Sequence, residues 1–208
     1  DLGDIDGDGD VDAYFAHGLD TLLLNDGVGR LVAAAAPLPV GAGTTHAIAL
    51  GDLDGDGDLD AFLGRMEQNE VLRNLGGATF EVLPGAAPLE FQSAHVIALE
   101  DLDGDGDLDA FVGNDGSADQ LLLNDGSSHF ADASAQLPAS LTSTEAVVLG
   151  DLDGDGDADA VVGPYRYLYL NTGGGIIDGS AALPASPFLP HALALADVDA
   201  DGDLDLYL

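Results

Sequence analysis

Residues 51–64 read Gly-Asp-Leu-Asp-Gly-Asp-Gly-Asp-Leu-Asp-Ala-Phe-Leu-Gly. Aspartates occupy every second position of a nine-residue loop, and a short apolar run follows at once. The phrase Asp-x-Asp-x-Asp-Gly-Asp-x-Asp occurs five times, beginning at Asp4, Asp52, Asp101, Asp151 and Asp197. Successive starts are therefore 48, 49, 50 and 46 residues apart. Such constant spacing predicts one supersecondary unit per period, repeated along the chain.

Each period contains four short apolar runs, which in the second period are residues 46–50, 61–63, 71–72 and 79–83. The runs are bounded by Gly, Asn and Asp and lack a 3.6-residue period, so they are predicted to be strands. The third run ends in a turn signal: Asn25-Asp-Gly27, Asn74-Leu-Gly-Gly77, Asn124-Asp-Gly126 or Asn171-Thr-Gly173. Asn and Gly tolerate the positive φ angles of tight hairpins.

Four strands in about 49 residues are typical of a propeller blade. We therefore predict an all-β fold, a β-propeller of four-stranded antiparallel blades, with the acidic loop between strands 1 and 2 of each blade. Residues 1–208 are expected to form a single repeat domain, with repeats at approximately 1–43, 44–93, 94–142, 143–188 and, in part, 189–208. Both ends interrupt a repeat, which indicates a fragment of a longer protein.

The acidic loops have the hard oxygen donors that calcium prefers, six to eight per ion. In the second loop we expect Asp52, Asp54, Asp56 and Asp60 to supply side-chain oxygens and Asp58 its backbone carbonyl. The corresponding residues of the other loops are Asp4, Asp6, Asp8, Asp10 and Asp12; Asp101, Asp103, Asp105, Asp107 and Asp109; Asp151, Asp153, Asp155, Asp157 and Asp159; and Asp197, Asp199, Asp201, Asp203 and Asp205.

The alternative is that these turns are merely solvated acidic surface. Two carboxylates about 4 Å apart repel by about 4 kcal/mol at an effective dielectric constant near 20, which favours a bound cation. Magnesium fits less well, because it requires strict octahedral geometry and retains its waters. The loops thus predict about five Ca²⁺ ions as cofactors.

An EF-hand loop begins with similar spacing, but it needs a bidentate Glu at its twelfth position and a helix on each side. Here the twelfth position lies in a predicted strand and holds Phe15, Leu63, Val112, Val162 and Leu208. The sequence therefore excludes the EF-hand.

Residues 51–64, with runs such as Gln120-Leu-Leu-Leu-Asn-Asp-Gly126 and His129-Phe-Ala-Asp132, resemble the FG-GAP/VCBS repeat family. That family includes the calcium-binding blades of integrin α-chain propellers and many bacterial secreted proteins. The resemblance covers essentially the whole chain and implies a calcium ion held between strands 1 and 2 of each blade by the aspartates named above. One departure is Ala200, which replaces the glycine of the other loops, so the fifth site is strained if that position requires positive φ.

The composition restricts the partners. The chain has 39 acidic and four basic residues, a formal charge of −35, and no cysteine. Nucleic acid is excluded as a partner because its phosphates require clustered Lys and Arg. No apolar stretch is long enough to span a bilayer, so we expect no membrane insertion. Weak calcium sites fill only near millimolar calcium, which favours an extracellular or cell-surface location.

The leading interpretation is a calcium-stabilised, non-catalytic binding or adhesion scaffold. A glycan or protein ligand is expected on the face opposite the acidic loops, with Arg65, Tyr165 and Arg166 as candidate contacts. One alternative is a self-assembling subunit of an extracellular filament or array. Another is a non-catalytic part of a polysaccharide-acting enzyme. We expect no catalysis in this segment, because no nucleophile–base arrangement stands out and the carboxylates are committed to ions.

Overall fold

A computed structural model describes residues 1–16, 19–39, 43–89, 92–138, 143–184 and 189–207. The predicted repeat boundaries at 142 and 188, and Leu208 at the end of the partial repeat, lie outside the described residues.

The described chain is built from short strands grouped by repeat. The first repeat contains β1 (Leu2–Gly3), β2 (Asp12–Phe15), β3 (Thr21–Asn25) and β4 (Leu31–Ala33). The second contains β5 (Thr45–Gly51), β6 (Asp60–Arg65), β7 (Glu70–Asn74) and β8 (Phe80–Val82). The third contains β9 (Ala94–Glu100), β10 (Asp109–Asn114), β11 (Gln120–Asn124) and β12 (Phe130–Asp132). The fourth contains β13 (Ala146–Gly150), β14 (Asp159–Gly163), β15 (Tyr167–Asn171) and β16 (Ile176–Asp178), and β17 (Ala194–Ala196) and β18 (Asp205–Tyr207) follow.

Each of the four repeats forms its own four-stranded sheet, with the strands in sequence order, and β17 pairs with β18 in a two-stranded sheet. Neighbouring strands pair antiparallel, as β5 does with β6 and β6 with β7. The prediction of an all-β chain with antiparallel four-stranded sheets and about 50 residues per repeat is therefore confirmed.

Two one-turn 3₁₀ helices, Ser134–Gln136 and Ser180–Ala182, follow the fourth strands of the third and fourth repeats. Among the described residues, no helix has the length and apolar character needed to cross a membrane.

In strand β5, small and large residues alternate, and the two kinds differ in burial. Its small residues Ala47, Ala49 and Gly51 are buried, while the larger Ile48 and Leu50 between them are only half-buried. Successive strand side chains point to opposite faces, so the small residues allow close approach on one face. The next strand, β6, is buried along its whole length.

The chain divides into two compact units, residues 1–94 with 124–131, and residues 95–123 with 132–208. In the first unit, the first two sheets share a core that includes Ile5, Tyr14, Leu22, Leu63 and Leu72. In the second unit, a corresponding core includes Leu102, Phe111, Leu121, Val162 and Tyr169. Within each unit, consecutive sheets therefore pack on each other. The assignment of residues 1–208 to a single repeat domain stays a prediction.

Candidate metal centres

Each acidic loop joins the first strand of its sheet to the second. Residues 4–12 connect β1 to β2, residues 52–60 connect β5 to β6, and the loops of the later repeats occupy the same place. The acidic loops therefore lie where the sequence predicted them, between adjacent antiparallel strands.

In every loop, one oxygen from each of three aspartates lies within 4.8 Å of the other two. In the first two loops the three come from the first, third and fifth positions; in the other three loops the ninth replaces the fifth. The groups are Asp4, Asp6 and Asp8; Asp52, Asp54 and Asp56; Asp101, Asp103 and Asp109; Asp151, Asp153 and Asp159; and Asp197, Asp199 and Asp205. The structure thus brings together three of the predicted side-chain ligands in each loop.

Backbone amides hold the first aspartate of each loop. Oδ1 of Asp52 accepts a hydrogen bond from the amide of Gly55 at 2.8 Å, and Oδ2 accepts one from Gly57 at 3.0 Å. Both glycines have positive φ, 75° and 95°, a conformation that costs an L-residue energy. The loop therefore curls around its own carboxylates. The Oδ2 contact recurs in the other loops at 3.0–3.1 Å, from Gly9, Gly106, Gly156 and Gly202.

The third and fifth aspartates are fixed in the same way. Oδ1 of Asp54 accepts the amide of Asp56 at 3.3 Å, and Oδ1 of Asp56 accepts the amide of Asp58 at 2.9 Å. In both residues these backbone hydrogen bonds use Oδ1 and leave Oδ2 for other contacts. Backbone amides of the loop therefore orient both side chains.

The ninth aspartate links the loop to the strand that follows it in the sheet. Asp60 is fully buried; its Oδ2 accepts the amide of Leu53 at 3.2 Å and its Oδ1 the amide of Asn74 at 2.7 Å. The same bond to the second loop residue is made by Asp12, Asp109, Asp159 and Asp205, at 2.9–3.0 Å. This residue therefore ties the loop to the sheet as well as carrying charge.

The seventh aspartate is in none of the five oxygen groups found among the described residues. A Cβ added at Gly27 would lie 2.7 Å from Oδ2 of Asp10, and one at Gly173 would lie 2.8 Å from Oδ2 of Asp157. These carboxylates thus lie against the turn that follows the third strand. The expectation that the seventh position offers its backbone carbonyl stays a prediction.

Each of the first four loops contains a carboxyl group whose ionised form the fold disfavours. Burial raises the pKa of Asp60 to about 6 and also raises the pKa of Asp159. The pKa values of Asp6, Asp54 and Asp103 are raised as well, first by partial burial, and neighbouring loop carboxylates add to the effect. Without a counter-charge, the first four loops therefore hold negative charge where the fold disfavours it.

A hard divalent cation fits this environment. The donors are all oxygens, and the buried Oδ1 of Asp4 has no hydrogen-bond partner in the described structure. The aspartates at the first, third, fifth and ninth positions would hold the ion, whose charge would offset their mutual repulsion.

The asparagine that ends the third strand was predicted only as a turn residue, and the structure adds a second role. Its Nδ2 donates a hydrogen bond at 2.8 Å to the second loop residue of the preceding repeat. The pairs are Asn74 with the carbonyl of Ile5, Asn124 with Leu53, and Asn171 with Leu102. The sequence feature that could have indicated this second role is the recurrence of an Asn at the same place in each of the four full periods.

The predicted ligand contacts have different surroundings. Arg65 is 3% exposed, and its Nη2 lies 2.7 Å from Oε2 of Glu70. The prediction that Arg65 contacts a ligand at the surface was therefore wrong, because its side chain is buried in an ion pair. Tyr165 is 53% exposed, and Arg166 donates a hydrogen bond to the carbonyl of Pro184. The latter two stay candidates.

The fold and its loops thus define a protein of tandem four-stranded antiparallel sheets, each with an acidic loop between its first two strands. The FG-GAP-like repeat matches residues 4–63, 52–112 and 101–162. These overlapping matches cover most of the chain, which therefore belongs to the FG-GAP-like repeat family. None of the curated proteins compared with the chain gives a significant match.

Two solved structures share the fold. One is described as an Agrocybe aegerita lectin that specifically recognises non-reducing terminal N-acetylglucosamine, with 24% identity, a TM-score of 0.59, and coverage of 85% of this chain and 49% of that chain. The other is the V. cholerae biofilm matrix protein Bap1, with 17% identity, a TM-score of 0.52, and coverage of 94% of this chain and 30% of that chain. The chain spans about half the length of the first and under a third of the second.

Proposed function

We propose that this chain is part of a calcium-stabilised, non-catalytic scaffold that binds or adheres outside the cell. The observation that carries the proposal is the carboxylate group repeated in all five loops, held by backbone amides in nearly the same way each time. A merely solvated acidic surface would not be expected to bring three carboxylate oxygens within 4.8 Å of one another in all five loops.

Calcium is the cation that this donor set favours. The oxygens come from carboxylates on a loop of irregular backbone, which suits the variable geometry of Ca²⁺ better than the strict octahedron of Mg²⁺. In this proposal the ion offsets repulsion among carboxylates whose pKa values the fold has raised, and so stabilises the junction of two strands.

The proposal includes a β-propeller of which these sheets are blades. In the second repeat Leu63 is fully buried, whereas Phe15, in the same place in the first repeat, is 54% exposed. An exposed aromatic residue at a position that is otherwise buried suits a face that another sheet covers in the complete assembly. The covering sheet would be a further blade of the same propeller or, in the filament alternative, a copy of the chain.

The ligand would bind opposite the acidic loops, where the connections between the second and third strands vary in sequence. Variable loops on a rigid sheet scaffold are usual places for recognition. Tyr165 offers an exposed ring there, and aromatic side chains commonly contribute to binding surfaces. The fold shared with a lectin makes glycans the first ligands to test.

Stoichiometry tests the calcium part of the proposal directly. Equilibrium dialysis of the chelator-treated protein against ⁴⁵Ca²⁺ should give about five ions per chain at millimolar free calcium. Substitution of Asp52 and Asp54 by Asn together should remove one ion and leave the others bound. A stoichiometry near zero would overturn the proposal.

Glycan-array binding and particle size test the rest. A scaffold predicts discrete particles and binding that a Tyr165→Ala variant weakens, while its calcium stoichiometry stays the same. Concentration-dependent fibres would instead favour the self-assembling alternative.

A further inference from the structure

One arginine lies beside an acidic loop. Arg73 is in β7, immediately before Asn74, where the other repeats have Leu24, Leu123 and Leu170. It pairs across the sheet with Glu81, whereas Leu24 pairs with Val32 and Leu170 with Ile177. The second repeat thus replaces an apolar cross-strand pair with an ion pair.

The guanidinium is held by Glu81 and reaches the loop. Nε of Arg73 donates to Oε1 of Glu81 at 3.1 Å, and Nη2 contacts the same oxygen. Nη1 lies 3.8 Å from Oδ2 of Asp54. Oδ1 of Asp54 already accepts the amide of Asp56, so the arginine faces the oxygen that the backbone leaves available.

Both side chains are partly shielded from solvent: Arg73 is 37% exposed and Asp54 is 14% exposed. Water and salt therefore screen their interaction only in part. Asp54 is also one of the three aspartates that define the second oxygen group. A positive charge consequently lies at the edge of a site proposed to hold a cation.

We propose that Arg73 makes the second loop a weaker calcium site than the equivalent loops of the first, third and fourth repeats. The inference rests on the proposed function. The guanidinium competes with calcium for Oδ2 of Asp54, and its charge repels the incoming ion. Among these four loops, the second would fill last as calcium rises. The fifth loop is left out of the comparison because Ala200 gives it a separate cause of weakening.

The structure provides one reporter per loop. Gly9, Gly57, Gly106 and Gly156 each donate their amide to Oδ2 of the first loop aspartate. Their ¹H–¹⁵N signals should therefore respond to occupancy of their own loop. The calcium-loaded chain would be titrated with chelator, so that the measurement starts from the folded protein.

In the unmodified chain, Gly57 should lose its calcium-bound signal at about three- to tenfold higher free calcium than the other three glycines, the size expected for a partly screened charge. Arg73→Leu, which copies the other repeats, should bring its midpoint to theirs. Arg73→Gln should do the same with a polar side chain, in case leucine disturbs folding beside Glu81. Arg30→Leu, a matched loss of one exposed arginine in the first repeat, should leave the Gly57 midpoint unchanged.

Glu81→Gln provides the opposite test. It frees the guanidinium from its partner and should move the Gly57 midpoint to still higher calcium. Coincident midpoints of all four glycines, unchanged by Arg73→Leu and Arg73→Gln, would overturn the inference and leave the proposed function standing. If no glycine signal responds to calcium, both fail.

Discussion

At the scale of single residues, a buried hydrogen-bond path joins one acidic loop to the next. In the first unit, the amide of Ile5 donates to Oδ2 of Asp12, and the carbonyl of Ile5 accepts Nδ2 of Asn74. The amide of Asn74 then donates to Oδ1 of Asp60 in the second loop. Asn74, and in the same way Asn171 in the second unit, therefore links its own loop to the preceding one.

Asn74→Ala should lower the free energy of unfolding by about 1–3 kcal/mol, because it leaves the carbonyl of Ile5 buried without a partner. Asn25→Ala is the matched control. Nδ2 of Asn25 donates to the carbonyl of Val11 at 3.2 Å, and Oδ1 accepts the amide of Gly27 at 3.3 Å. Both bonds are exposed to solvent, so the loss of this side chain should cost about 0.5 kcal/mol or less. Urea denaturation in saturating calcium measures both. Equal losses would contradict the role assigned to Asn74.

The raised aspartate pKa values predict an unusual pH dependence in chelator. Folding raises the pKa of Asp60 to about 6 and also raises those of Asp6, Asp54, Asp103 and Asp159. The calcium-free folded state therefore binds protons more tightly than the unfolded chain. This contribution to stability is complete below the ordinary aspartate pKa and is lost as pH rises through the raised values.

In excess chelator, the melting temperature should therefore be higher at pH 5 than at pH 7.5. In saturating calcium the order should reverse, because protons then compete with the ion for the same oxygens. Differential scanning calorimetry at the two pH values, with and without calcium, checks both. The same order in both conditions would mean that the loop carboxylates do not bind the ion.

At the scale of the element, the sequence predicted the strands and loops because each has a local signal. The short apolar runs bounded by Gly, Asn and Asp form strands such as β6 and β7. The acidic segments form the loops between the first and second strands. The bond from Asn74 to Ile5 joins residues 69 positions apart, which no local pattern reports. The burial of Arg65 was missed for a similar reason, since its ion pair with Glu70 depends on packing.

The fifth loop allows a test of backbone strain. Ala200 has φ of 60°, where Gly7, Gly55, Gly104 and Gly154 have 75–80°. The condition stated from sequence, that this position requires positive φ, is thus met. Ala200→Gly should stabilise the calcium-bound loop by about 1 kcal/mol, by removing the cost of a left-handed alanine.

The reverse change serves as the control. A Cβ added at Gly154 would meet nothing within 4 Å, so Gly154→Ala introduces the backbone strain without a clash. It should weaken the fourth loop by about as much as Ala200→Gly strengthens the fifth. The amide signals of Gly202 and Gly156, followed through a calcium titration, report the two loops separately. Unchanged midpoints in both variants would show that φ at this position does not limit binding.

At the scale of the whole molecule, charge is the main cost that the fold must offset. The chain has a formal charge of −35, and 25 of its aspartates lie in the five loops. A ligand bound only to the folded state stabilises it by about 2.7 kcal/mol per site at a hundredfold excess over its dissociation constant. Several such sites rival the whole stability of an ordinary domain, about 5–15 kcal/mol.

The most direct test of this account is the melting temperature of the intact chain at pH 7.5 in millimolar calcium and in excess chelator. Calcium bound in the five loops predicts a fall of more than about 10 °C on chelation, since each 1 kcal/mol shifts the midpoint by about 2–4 °C at this size. Re-addition of calcium should restore the midpoint, and magnesium should restore less of it. An identical midpoint in calcium and in chelator would contradict the claim that cations hold these loops together.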